Sequence, residues 1–420
     1  MMTKNDDNTF FSTNSKGNTF DTMQQNNRML ILRLIKEAGA ISRKALSQAT
    51  NLNSSTITLI INELLETGLV CESGLIEGEN GRRVKSVKLN DSLFSCIIIT
   101  ITTDYFSLAL FDINSHCLEA TKVSLNIFSD IVYTLAQIKE NIGNFIKISK
   151  QRNLQIIGLA FALQGPFQFR DTACIMYNNS NYYIDIVHYF KTAFGYPIIY
   201  DTTSNYAIYR YTCLRECNYL QNRLAIYLGV NYAVDISISY NRAILKGMTS
   251  TPGALGLMPI TSTSGKELPV ASIVSARSIE ERARSIIMYH PESSLFSKDS
   301  IHIRDLILAF YDGDTVALQI FSEVALALGK MIKNLTYTLH PHLILIAGEI
   351  PNNQTFQQMI IDASVIYPSE YSGNIPVATP EIQVIQEEQK LSNDPSMIGA
   401  SMKLFNKTLK SPEILHQALS

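Results

Sequence analysis

The stretch Ser42-Arg43-Lys44-Ala45-Leu46-Ser47-Gln48-Ala49-Thr50-Asn51-Leu52-Asn53-Ser54-Ser55-Thr56-Ile57-Thr58-Leu59-Ile60-Ile61-Asn62-Glu63 decides how the front of this chain folds. Ser42 has a side-chain oxygen suited to capping a helix N-terminus, which predicts a short helix through Thr50 with Ala45, Leu46 and Ala49 inward. Asn51-Leu52-Asn53 then reads as a turn, because asparagine tolerates unusual backbone angles. Ser54 or Ser55 is placed to cap a further helix reaching about Glu66, whose apolar face is Ile57, Ile60, Ile61, Leu64 and Leu65. Two helices joined by so short a turn make a helix-turn-helix, a motif whose second helix enters the major groove of DNA with its N-terminal residues at the base edges.

Working outward, Arg28 to Ala38 places Leu30, Ile31, Leu34 and Ile35 on one helical face, and Gly39 stops it. Beyond Gly68, Leu69 to Glu72 and Val84 to Leu89 read as strands around a Glu77–Gly81 loop, which is the hairpin of a winged helix. The DNA-contact candidates are therefore Arg43, Ser54, Ser55, Thr56, Thr58 and Asn62 on the helices, with Arg82, Arg83 and Lys85 on the wing. Short hydroxyl side chains suit phosphates or bases, threonine methyls suit thymine methyls, and flexible cations suit phosphates or a minor groove. Each feature also has a plainer use, the serines as caps and the cations as an ordinary solvated face.

Charge distribution favours the nucleic-acid reading. The 420-residue chain carries 35 basic and 37 acidic side chains, a net charge of −2. Residues 28–90 hold nine basic and six acidic side chains, and are net positive in an otherwise acidic protein. Residues 1–27, rich in Asn, Thr and Ser, read as a disordered tail without the pattern of a signal peptide. No window approaches the ~18 uninterrupted apolar residues of a membrane span, so a cytoplasmic protein without membrane insertion is expected. The six cysteines, all before residue 218, are scattered in the manner of reduced thiols.

From Ser95 the pattern becomes alternating strand and helix. Strands are expected at Cys96–Ile101, Phe106–Asp112 and Leu118–Leu125, a helix at Ile131–Lys150, and a strand at Ile156–Ala162 running into Gln164-Gly165-Pro166. A helix at Val187–Phe194 leads to a strand, Pro197–Tyr200, ending at Asp201, a frequent place for a functional acid in an open α/β sheet and equally a helix cap. The strands Arg223–Leu228 and Val234–Ser239 repeat the opening hairpin, which suggests two duplicated halves. Helices at Ser278–Met288, Ile303–Tyr311, Thr315–Leu339 and Met397–Phe405 and the strand Leu343–Ile346 complete the pattern.

Taken together, the chain resembles the ROK family, and its front is similar to the xylose and N-acetylglucosamine repressors of that family. The resemblance rests on Asn27 to Leu32, Leu52 to Thr58 and Gly81-Arg82-Arg83-Val84 in front. In the body it rests on Gly165-Pro166, Asp201, Gly253-Ala254-Leu255-Gly256, Leu328-Gly329, Pro341-His342-Leu343-Ile344 and Gly399-Ala400. It implies an α/β chain: a winged helix-turn-helix over 28–90, then a two-lobed, actin-like, sugar-kinase-like body over 95–407.

The resemblance also implies glycine-rich hairpins that cradle nucleotide phosphates, because only glycine lets backbone N–H groups come close enough. In their places stand Thr100-Ile101-Thr102-Thr103-Asp104, Gly229-Val230-Asn231-Tyr232-Ala233-Val234-Asp235 and Ala347-Gly348-Glu349. Kinase activity is expected to be lost, although Asp201 corresponds to the family's catalytic base, and no cofactor is expected. The family's sugar-binding Glu and zinc-binding His positions are held by Ala254 and Leu257. Thr261 to Ser278 contains no Cys or His, so structural zinc is expected to be absent. Gly165, Pro166, Asn179 and Asp201 remain as candidates for contact with an effector. The reading is a transcriptional repressor of carbohydrate-related genes that binds double-stranded DNA as a homodimer or tetramer and responds to a sugar or a regulatory protein. Two alternatives stay open: an active sugar kinase that also binds DNA, and a protein-interaction platform with no small ligand.

Overall fold

The computed structural model describes residues 20–77, 83–126, 129–165, 167–169, 172–177, 182–214, 222–247, 254–366, 378–385 and 390–410. It divides into two compact units, one running to Phe94 and including the chain from Lys407, the other Ser95–Asn406.

In the first unit α1 (Phe20–Ala38) is followed by β1 (Ile41–Ser42), α2 (Arg43–Thr50), α3 (Ser54–Glu66), β2 (Val70–Glu77) and β3 (Arg83–Leu89). The expected boundary between tail and helix at residue 27 thus falls inside α1, where Met23 and Gln24 are good helix formers. Ser42 caps α2 by accepting from the Ala45 N–H at 3.2 Å, and Asn51 ends it with φ +56°. The cap of α3 is Asn53, which accepts from the Thr56 N–H at 2.7 Å, so the expected serine cap is displaced by one to two residues. Asparagine is as good an N-cap as serine, and here it also satisfies the Ser55 hydroxyl at 2.8 Å. Ile31, Ile35, Leu46, Ile57, Ile60, Ile61 and Leu64 form the core, and Arg28 of α1 pairs with Glu63 of α3 beside it. β1, β3 and β2 form an antiparallel sheet, which makes the hairpin a wing.

The second unit opens with β4 (Phe94–Ile101), β5 (Tyr105–Asp112), β6 (Cys117–Ser124), α4 (Ile131–Gln151) and β7 (Gln155–Leu163). Then come β8 (Phe167–Phe169), β9 (Ala173–Tyr177), β10 (Tyr182–Asp185), α5 (Ile186–Phe194), β11 (Ile198–Thr202) and α6 (Thr203–Leu214). The second half comprises β12 (Leu224–Val230), β13 (Val234–Tyr240), β14 (Ala243–Ile244), β15 (Pro259–Thr261), β16 (Glu267–Pro269), α7 (Ala271–Val274) and α8 (Ala276–Ile286). It ends with α9 (Ile303–Tyr311), α10 (Thr315–Leu339), β17 (Leu343–Gly348), α11 (Gln354–Ser364), β18 (Glu381–Val384) and α12 (Pro395–Lys410).

The duplication appears in the strand orders. One five-stranded sheet runs β11-β7-β4-β5-β6 and the other β14-β13-β12-β17-β18. In each, the opening strand has its antiparallel hairpin partner on one side and a strand from a later crossover on the other. Every residue of β4 is buried, as expected for a central strand covered on both faces. By length and composition α10 would cross a membrane, yet 61% of its most apolar stretch is buried in this unit, with Phe321, Val324, Leu328, Met331 and Ile332 in the core. Gly329 lies where a side chain would run into Ala363 of α11, so those two helices touch backbone to backbone.

Candidate functional site

The face of α3 turned away from its core carries Ser54, Ser55, Thr58, Leu59 and Asn62, all exposed, while Thr56 is half-buried. Ser55 donates to the Asn53 side chain and Thr58 donates to the Ser54 carbonyl, each at 2.8 Å. Arg43 lies against the same surface, its guanidinium 3.4 Å from Asn62 Oδ1. Arg83 is exposed on the wing and Lys85 is loosely paired with Glu72 at 3.7 Å. Arg82 lies outside the described residues. The helix-turn-helix therefore places the predicted helix residues on one continuous surface, and it adds Leu59, 64% exposed, which the polar reading of the sequence passed over.

The turns of the second unit are of a different character. At the β4–β5 turn, Thr102 Oγ1 accepts from the N–H groups of Asp104 at 3.3 Å and Tyr105 at 3.2 Å. These two backbone donors are satisfied by a side chain. At the β12–β13 turn, Asn231 N–H donates to Ala233 at 3.0 Å and Tyr232 donates to Glu280 at 3.2 Å. Gly348, with φ +123°, sits where a side chain would strike the Val230 carbonyl, and the Glu349 N–H donates to that carbonyl at 2.8 Å.

Carboxylates gather near these turns. Burial, then the nearby charge of Glu280, pushes the Asp104 carboxyl up. Burial pushes Glu349 up to about 7, with Glu280 and Asp104 adding to it and Lys122 opposing. Asp235, half-buried, is pushed up to about 6 by desolvation, against the Gln164 amide that donates to it at 2.5 Å. Tyr232 is held near 12, mainly by burial and by Glu280 and Glu349. Mutual influence of this kind puts Asp104, Glu280 and Glu349 in one locality.

Asp201 is only 3% exposed, and both of its oxygens are engaged. Oδ1 accepts from the Thr202 N–H at 2.9 Å and the Asn205 amide at 2.5 Å, and Oδ2 accepts from Lys403 of α12 at 2.8 Å. Asn205 in turn accepts from Ser237 of β13 at 2.5 Å. The ammonium of Lys403 also lies over the rings of Tyr206 and Tyr209. The carboxylate thus ties β11 to α12, and through Asn205 to β13. It does not cap α6, since Thr202 Oγ1 accepts the Asn205 N–H at 3.1 Å. Gly165 is exposed with φ +134°, whereas Pro166 and Asn179 lie outside the described residues. Leu257, at the histidine position, is 72% exposed. Among the described residues no group of three His, Cys, Asp or Glu side chains is arranged to hold a metal.

A recess of about 260 Å³ lies elsewhere in this unit, between the β15–β16 hairpin, α8 and α10. It is lined by Thr261, Ser262, Ser272, Arg282, Glu323 and Lys330 among others, and by neither Gly165 nor Asp201.

Comparison with known proteins agrees with both units. Residues 25–70 match a winged helix-turn-helix DNA-binding model and residues 96–406 match the ROK family model. The chain is 25% identical over 341 residues to the xylose repressor of Bacillus spizizenii, covering 77% of this chain and 82% of that protein. It is 23% identical over 377 residues to the transcriptional dual regulator NagC of Escherichia coli, covering 86% and 90%. Among solved structures, a ROK family transcriptional regulator homologous to E. coli MLC superposes with a TM-score of 0.72 at 19% identity, over 94% of this chain and 99% of that one. A ROK family glucokinase from Streptomyces griseus, solved with glucose and AMPPNP, superposes with a TM-score of 0.57 at 14% identity, over 73% and 98%. With its body matched almost from end to end, this chain belongs to the ROK family.

Proposed function

We propose that the protein is a sequence-specific DNA-binding transcriptional repressor of carbohydrate-related genes, whose ROK body senses rather than phosphorylates. The observation that carries this reading is the contrast between an exposed recognition helix and strand turns, at the places of the family's phosphate loops, that are crowded with carboxylates. The front keeps every group a groove-binding helix needs, including a capped N-terminus and cations at Arg43, Arg83 and Lys85. In the body the phosphate-binding N–H groups are occupied, Tyr232 adds bulk, and Asp104, Glu280 and Glu349 add charge of the wrong sign. Asp201 is held in an ion pair with Lys403, and both of its oxygens already accept hydrogen bonds from within the fold.

The names of the relatives favour a sugar as effector, and a cytoplasmic homodimer or tetramer is the arrangement that places two recognition helices on two half-sites. An effector acts by favouring one separation of those helices over another, as far as its affinities for the two states differ.

Mapping bound sites across the genome tests the reading. Enrichment upstream of sugar-uptake or sugar-breakdown genes is the expected result, and its absence counts against it. Measurable ATP consumption with any of a panel of hexoses and amino sugars would overturn the loss of kinase activity.

A further inference from the structure

We infer that Leu59 reads sequence, as an apolar probe for thymine C5-methyl groups in the major groove, and that the half-site is specified by thymine methyls more than by guanine. The inference deepens the DNA-binding reading and rests on it.

Leu59 is out of place by the logic of the fold. The buried stripe of α3 is already complete with Ile57, Ile60, Ile61 and Leu64, and Leu59 lies off it. A single exposed leucine is ordinary on a protein surface. This one stands among Ser55, Thr58 and Asn62, the positions that face base edges when a recognition helix docks.

The hydrogen bonds of its neighbours sharpen the assignment. The hydroxyl protons of Ser55 and Thr58 are given to Asn53 and to the Ser54 carbonyl, so toward solvent these residues present lone pairs and the Thr58 methyl. Asn62 Oδ1 faces the Arg43 guanidinium, which leaves its NH₂ as the outward donor. From Ser54 to Glu66 the helix contains no Lys or Arg. The bidentate grip on guanine O6 and N7, the commonest specific contact, is therefore not available from α3. What α3 offers is two apolar groups, hydroxyl acceptors and an amide donor. That set complements the thymine methyl, the adenine N6 amine and the O4 or N7 acceptors of an A·T pair.

The test replaces thymine by uracil, which removes the methyl and nothing else. A duplex is first enriched from a random library by the full chain, and its thymines are then replaced one at a time. Wild-type protein is expected to lose about four-fold in affinity at one or two positions per half-site, the factor for one buried methyl. Leu59→Ala should be insensitive at those positions, with a circular-dichroism spectrum and thermal midpoint matching wild type to show that it is folded. Leu59→Met, still apolar and long, should remain sensitive. A uracil scan with no loss at any position overturns the assignment, as does equal sensitivity in wild type and Leu59→Ala. If wild type binds no duplex at all, the DNA-binding reading falls and the assignment falls with it.

Discussion

Helix α3 and the β4–β5 and β12–β13 turns of the body carry different chemistry. In α3 both the scaffold and the surface chemistry of a DNA reader are present, from the Asn53 cap to the exposed row Ser55, Thr58, Leu59 and Asn62. Around the β4–β5 and β12–β13 turns the scaffold is a pair of sheets of the same order, and the turns themselves carry Thr102, Asp104 and Tyr232, with Glu349 following β17. A fold is held by its apolar pattern, and the turns between strands are free to change.

The largest expected effect tests whether Asp201 has passed from site to scaffold. Lys403→Met removes the partner of a buried carboxylate and should cost roughly 3–5 kcal/mol in chemical denaturation. Adding Asp201→Asn should return much of that loss. If Lys403→Met is neutral, Asp201 is not held by the ion pair, and the contrast with the front of the molecule weakens.

The next effect concerns the carboxylates near these turns. Glu349, near 7, and Asp235, near 6, titrate higher when folded than their ordinary range, so the native state holds more protons between that range and about pH 7. Stability should fall as pH rises through this window and level off above it. Glu349→Gln should flatten the fall and stabilise the protein at pH 8 by on the order of 2 kcal/mol, read from denaturation midpoints at pH 5 to 8. An unchanged profile would mean that these charges do not crowd one another.

On the DNA-binding side, replacing Arg83 and Lys85 together by Ala should reduce the slope of log affinity against log salt by about 2 if each grips one phosphate. Fluorescence anisotropy across a salt series measures it, and an unchanged slope would make the wing a solvated face. The smallest effect is at the cap, where Asn53→Ala should cost about 1 kcal/mol of stability in the front unit.

Much of this architecture is legible in the sequence, because strong periodicity decides long elements. The bounds of α9 and α10 match the expected Ile303–Tyr311 and Thr315–Leu339 residue for residue. The short strands β8, β15, β16 and β18, three or four residues each, carry too little alternation to stand out. The helix-turn-helix was readable because capping, turn and apolar stripe all fall within 25 consecutive residues, from Ser42 to Glu66. The fate of Asp201 was not, because its partner Lys403 lies 202 residues further along the chain. Leu59 had a signal, an apolar residue off the buried stripe, which a search for polar contacts does not weigh.

The account stands most directly on one measurement, the selection of duplexes from a random library by the full chain at physiological salt. It predicts enrichment of a single motif in two copies spaced by whole helical turns. Binding that is equally strong to every sequence, with no motif enriched, would contradict it.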